Sequence, residues 1–256
     1  MTETRFEFQD FVRVFALNIV LFAVFSYAFQ AIPGATDLVN SLHPAVSFIF
    51  TYLIQFVVLF FPLWIFVIEK YSANLSDFGL VKVSWKKVIL TIILSYISYL
   101  LIAYLITFFF FSQNVDLPGY QQQDSYIPLF GTDTLGFTVA VLVIVFIAPI
   151  IEEFFFRGFV YRVFTKTWPI WFGSIMTAIL FSLIHFQFDS FLPILLLGIF
   201  LNYTYQRTGS IWTSIGFHAL NNAIAFGLDV YIYFHPELLK DLELITGLLY
   251  NIHMPW

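Results

Sequence analysis

The chain contains no cysteine, which excludes disulfides, thiolate metal sites and cysteine nucleophiles. Charge is scarce too. Only 11% of its 256 residues are Asp, Glu, Lys or Arg, against roughly 25% in an ordinary soluble domain, while 60% are hydrophobic and 35 are Phe. So little polar surface cannot cover a globule in water, and the composition is that of an integral membrane protein whose partner is the lipid bilayer. Several catalytic signatures are missing. There is no His-Glu-x-x-His zinc motif, no Gly-x-Ser-x-Gly nucleophile elbow and no nucleotide-binding glycine pattern. The few basic residues form no nucleic-acid patch, so no nucleic-acid partner is expected.

What is present is a series of apolar runs. Those long enough to cross a ~30 Å hydrocarbon core, about 20 helical residues, lie at about Phe11–Ala31, Pro44–Ile68, Val88–Phe111 and Leu135–Phe156. Shorter or more polar candidates follow at about Pro169–Phe186, Phe191–Tyr205 and Ile211–Phe234. The last segment, Leu238–Ile252, begins with Lys240, Asp241 and Glu243 and reads as a short eighth span or an interfacial helix. The expected fold is therefore all-α: one polytopic domain over residues 1–256, a bundle of seven to eight transmembrane helices. The first run follows Thr2–Asp10, which holds three acids and one Arg, and is expected to remain a span rather than serve as a cleaved signal.

Loop charges predict the orientation. Lys70, Lys82, Lys86 and Lys87 fall between the second and third runs, Arg157, Arg162 and Lys166 after the fourth, and Arg207 between the sixth and seventh. The alternate loops, Ile32–His43, Ser112–Thr134 and Gln187–Ser190, have no Lys or Arg. The positive-inside rule then puts the N-terminus in the cytoplasm. Ser112–Thr134 reads as an external loop too polar to be membrane-buried, and Glu69–Trp85 as a cytoplasmic linker.

Ionisable groups inside such runs cost about 2.5–3.5 kcal/mol each on insertion scales, so they face a bundle interior or wet cavity and mark functional sites by default. Here Pro149 precedes Glu152 and Glu153, and a proline kinks its helix and frees a carbonyl. Glu153 and Arg157 are four apart and can pair, whereas Glu152 is turned about 100° away. Phe181 and His185 are four apart in the fifth run, and His218 and Asn222 share a face in the seventh. A carboxylate and an imidazole can hold and deprotonate a water, while a second His and an Asn amide can donate to an oxyanion. One His or Asn in a span is more often interhelical glue than a catalyst. Five or six such groups on three helices, two of them acids, favour a site. Paired broken helices in corresponding halves, as in transporters, are not evident.

The ordered motifs Glu152-Glu153-x-x-x-Arg157, Phe181-x-x-x-His185 and His218-x-x-x-Asn222 resemble those of the CPBP family (CAAX protease and bacteriocin-processing, also called ABI), which includes the Ras-converting CAAX endopeptidase. Arg157-Gly158, His185-Phe186, Arg207-Thr208-Gly209-Ser210 and the text around His218 resemble bacterial members. The likeness covers about residues 145–226, inside a catalytic core expected over 135–234. It implies an intramembrane endopeptidase, in a bacterial cytoplasmic membrane, acting on a peptide or membrane protein. It further implies Glu152 as general base with His185, His218 and Asn222 at the oxyanion, Glu153 with Arg157 as support, and Phe181 packed behind. No cofactor is required on this reading; the alternative is Zn²⁺ on Glu152, His185 and His218. The rival from another class is a non-catalytic membrane scaffold or bacteriocin-immunity protein. Oligomeric state is not indicated. Counted at about 1.5 Å per residue, His185 falls toward the outer end of its run and Glu152 and His218 toward the inner, so the fifth helix must tilt or start deep to bring them level.

Overall fold

Inside a bilayer every backbone N–H and C=O must be satisfied within the chain, and long apolar runs do so as helices. The computed structural model describes residues 4–113, 115, 117–120 and 125–237, among which there are helices and no strands. In chain order they are α1 (Phe8–Ala31), α2 (Ala35–Ser41), α3 (Pro44–Leu63, extended by a π turn Trp64–Glu69), a 3₁₀ turn Leu75–Phe78, α4 (Trp85–Ser112) and α5 (Ile127–Phe130). Next comes one helix of 34 residues, Thr134–Thr167. It is built from α6 (Thr134–Ala140), a π segment Val141–Ile147, α7 (Ala148–Phe155), a second π segment Phe156–Val160 and α8 (Tyr161–Thr167). Finally α9 (Ile170–Leu183) leads through a 3₁₀ turn, Phe188–Ser190, to α10 (Phe191–Thr208) and α11 (Ile211–Phe234).

Among the described residues five helices are long and apolar enough to cross a membrane: Phe8–Ala31, Pro44–Glu69, Trp85–Phe110, Thr134–Thr167 and Phe188–Thr208. The expected count of seven to eight is not confirmed by length and apolarity. α9 has 14 residues, about 21 Å at helical rise, and falls short of the ~30 Å core. α11 has 24 residues but carries His218, Asn221, Asn222 and Asp229. Leu238–Ile252 lies outside the described residues.

Three further expectations are corrected. The fourth run does not end at Phe156, because the helix continues to Thr167 and carries Arg157 and Arg162 into the bundle, both buried. These two are therefore not loop charges. Glu69–Trp85 is more than a linker: Asn74 caps the 3₁₀ turn, Phe78 is buried, and Gly79, at φ +82°, offers its carbonyl to the Ile211 N–H at the start of α11. Residues 125–133 are likewise not a purely solvated loop. Ile127 and Phe130 are buried in a cluster with Ala45, Val139, Val143 and Phe226.

The main core lies where α1, α3, α4 and the long helix meet α9–α11, and is mostly aromatic: Phe6, Phe78, Tyr99, Phe155, Phe156, Phe159, Phe181 and Phe217 are essentially inaccessible. Buried aromatics prefer tilted and edge-to-face pairings, as between Phe156 and Phe181 at 5.1 Å and 89°. The membrane-proximal start of α1 is fixed by Asp10, fully buried, which accepts from Lys70 Nζ and the Tyr71 hydroxyl, each at 2.7 Å. The hydrogen bond to Asp10 pushes the Lys70 ammonium above its ordinary range.

Candidate functional site

The carboxylates are positioned by a proline and a π segment acting together. In the π segment the Ala148 N–H bonds to the Val143 carbonyl, five residues back. The same register would give the Ile144 carbonyl to residue 149, which is proline and has no N–H. Asn222 Nδ2 fills the vacancy at 3.0 Å, tying α11 to the long helix about two turns before the glutamates. Restoring the N–H with Pro149→Ala should make this bond partly redundant. Asn222→Ala is expected to cost about 1–2 kcal/mol of stability in the native background and distinctly less beside Pro149→Ala. Thermal or denaturant melts of the four proteins check this; equal costs in both backgrounds would mean that Asn222 is not there for the freed carbonyl.

The two glutamates differ sharply. Glu153 is fully buried, and its Oε1 accepts from Arg157 Nη1 at 2.8 Å and from His218 Nδ1 at 3.0 Å. Arg157, also fully buried, donates further to Asn202 Oδ1 at 3.1 Å and the Gly198 carbonyl at 3.0 Å, and its guanidinium lies 4.6 Å from the Phe181 ring centroid. A cation on an aromatic face gains from the ring quadrupole. Gly198 lets α10 come this close, since an added Cβ would stand 3.2 Å from Ala178 of α9. Asn202 completes the enclosure by donating to the Ser174 carbonyl.

Glu152 points elsewhere. Its side chain is 23% exposed, and Oε2 has no hydrogen-bond partner although that atom is buried. Two imidazole nitrogens face it, His185 Nε2 at 3.9 Å and His218 Nε2 at 4.0 Å. The short α9 brings these groups level. The helix ends at Leu183, well inside the depth expected for a full span, so His185 sits in the turn that follows it. Phe186 then reverses the chain at φ +54°, a conformation costly for a bulky residue. Phe181 packs edge-on against both imidazoles, at 4.8 Å from His185 and 5.9 Å from His218.

Hydrogen bonding orients both rings alike. His185 Nδ1 lies 2.7 Å from the Phe181 carbonyl, an acceptor only, so Nδ1 carries the proton. His218 Nδ1 faces the Arg157-paired carboxylate of Glu153 and donates to it. Each imidazole therefore presents Nε2 to Glu152. These tautomers would suit metal ligation, yet the spacing does not: donors around a tetrahedral zinc with bonds of about 2.0–2.1 Å sit about 3.3–3.4 Å apart. Among the described residues no group of three or more His, Asp or Glu is placed to hold a metal ion.

Glu152, His185, His218, Asn221 and Asn222 line a cavity of about 230 Å³. Its other walls include Phe48 and Tyr52 of α3, Tyr126, Leu197 of α10, and Phe226, Asp229 and Ile232 of α11. Of the sequence candidates, Glu152, His185, His218 and Asn222 thus share one cavity, while Glu153, Arg157 and Phe181 stand behind it. Sequence reasoning missed Asn202, the cavity wall from α3, Tyr126 and Asp229. A lone Asn in the middle of an apolar run was the available signal for Asn202, and the same helical face as His218 and Asn222 was the signal for Asp229.

A family model described as type II CAAX prenyl endopeptidase Rce1-like matches residues 134–224. That stretch contains the long helix, α9, α10 and the first half of α11, and all seven residues predicted for the site. No curated protein and no solved structure matches the chain.

Proposed function

We propose, for a chain whose residues 134–224 carry an Rce1-like CAAX endopeptidase domain, that it hydrolyses a peptide bond of a membrane-delivered peptide or membrane protein with Glu152 as general base. The observation that carries this reading is Glu152 Oε2, buried, unpartnered and about equally spaced from two imidazole nitrogens. A water oxygen at hydrogen-bonding distance, ~2.8 Å, from Glu152 Oε2 and His185 Nε2 gives one proton to each and keeps a lone pair for attack. That oxygen bonds to the scissile carbonyl carbon as its proton passes to Glu152. The carbonyl becomes an oxyanion, the C–N bond breaks, and Glu152 returns the proton to the leaving amine.

A water has two protons, so a third acceptor beside it gains nothing as an acceptor. His218 serves better as a donor: as an imidazolium in the reacting complex it gives Nε2–H to the oxyanion while its Nδ1–H stays on the Glu153 carboxylate. Asn222 uses one amide hydrogen on Ile144 and has a second to give. The scaffold alternative leaves Glu152 without a purpose, because Glu153 already neutralises Arg157.

The test is reconstitution in liposomes with bilayer-spanning model peptides, followed by metal analysis. Cleavage is expected from protein holding far less than one zinc per chain, to persist after chelation and to be lost in His185→Ala. About one zinc per chain, removed and restored together with activity, would overturn the metal-free mechanism and make Glu153 the better proton acceptor.

The N-terminus is proposed to be cytoplasmic. With Arg157 and Arg162 withdrawn from the loop charges, Lys70, Lys82, Lys86, Lys87 and Lys166 still fall on one side. A reporter placed in 112–134 should read as external; a cytoplasmic reading would reverse the orientation.

A further inference from the structure

The cavity does not stop at the glutamates. His218, Asn222, Ala225, Asp229 and Ile232 all line it, and their spacing of four, three, four and three residues puts them on one face of α11. Asp229 stands near the far end of that stripe, eleven residues from His218, or about 16 Å at helical rise. Among the described residues no Lys or Arg lines the cavity, and the carboxylates that do are Glu152 and Asp229. Asp229 Oδ2 accepts from the Ser125 hydroxyl at 3.0 Å and the Tyr126 N–H at 3.3 Å, which holds the 125–126 segment over this end. Neither partner is charged, and among the described residues Asp229 has no ion pair. A carboxylate facing a largely apolar cavity without a counter-charge is an electrostatic site for a cation.

We infer that Asp229 is a subsite for a positively charged side chain of the substrate, lysine or arginine, and so selects which segments are cut. The inference rests on the peptidase reading above. An extended substrate advances about 3.3 Å per residue, so the basic residue should lie about four to six positions from the scissile bond. Asp229 would then act twice, holding the 125–126 segment and reading a charge beneath it.

Bilayer-spanning peptides identical except for Lys, norleucine or Glu at successive positions test this in the full-length protein. The wild type should cleave the Lys peptide about ten- to hundredfold faster than its norleucine counterpart at one position, the range of one charge-assisted hydrogen bond. In Asp229→Asn, which keeps an acceptor for Ser125 and Tyr126, that ratio should fall to about one whatever the absolute rate. Asp229→Lys should favour the Glu peptide. A ratio unchanged in Asp229→Asn, or a wild type indifferent to charge at every position, overturns the subsite while leaving the peptidase intact. If no peptide is cleaved, the peptidase reading fails and the subsite is judged by binding. Lys-peptide affinity about tenfold above norleucine in the wild type but not in Asp229→Asn supports it, and equal affinities reject it.

Discussion

Glu152→Gln is expected to abolish turnover while leaving the melting temperature in detergent nearly unchanged. The asymmetry follows from the partners. Glu152 Oε2 makes no hydrogen bond, and the two imidazole nitrogens facing it are 3.9 and 4.0 Å away, so an amide of the same shape breaks nothing the fold depends on. The chemistry loses its proton acceptor, a loss of about 10²–10⁴ in rate for a positioned general base. Initial rates on a reconstituted peptide beside thermal melts decide the matter. Retained activity would remove Glu152 from the mechanism, and a large drop in stability would make it a structural residue.

The second large effect concerns stability. Glu153→Gln leaves Arg157 fully enclosed without a counter-ion and weakens the bond to His218. Removing one partner of a buried pair typically costs about 3–5 kcal/mol, whereas replacing both with apolar groups is often far milder. Glu153→Gln combined with Arg157→Met should therefore be more stable than Glu153→Gln alone, although Asn202 and the Gly198 carbonyl lose a donor. Activity should be impaired in both, because His218 loses the carboxylate that orients its ring. Chemical-denaturant melts of the three proteins test the ordering; a double variant less stable than the single would show that Arg157 is held by Asn202, Gly198 and Phe181 more than by Glu153.

Much of the site was legible because its residues are polar where the run is apolar. The i,i+4 spacing of Glu153 and Arg157 predicts their pairing, and the 100° offset of Glu152 predicts a separate environment; both follow from helical geometry alone. What sequence spacing could not supply was depth. Pro169–Phe186 looks like a span in hydropathy, yet its helix stops at Leu183, and only that early stop brings His185 level with Glu152. The boundary at Phe156 failed for a related reason. Arg157 and Arg162 resemble loop charges in a hydropathy reading, but burial among Glu153, Asn202 and Tyr205 lets the helix carry them onward. The role of Asn222 at Ile144 was hidden too, since it depends on a π register that places Pro149 where an N–H was needed.

The central claim is that a water activated by Glu152 attacks the peptide directly. The measurement that tests it most directly is mass spectrometry of products formed by the reconstituted protein in ¹⁸O-labelled water. One heavy oxygen in the new carboxyl terminus, with no peptide attached to any side chain during turnover and no product from Glu152→Gln, is the result predicted. A covalent peptide adduct on Glu152, or labelled product formed at the wild-type rate by Glu152→Gln, would contradict it.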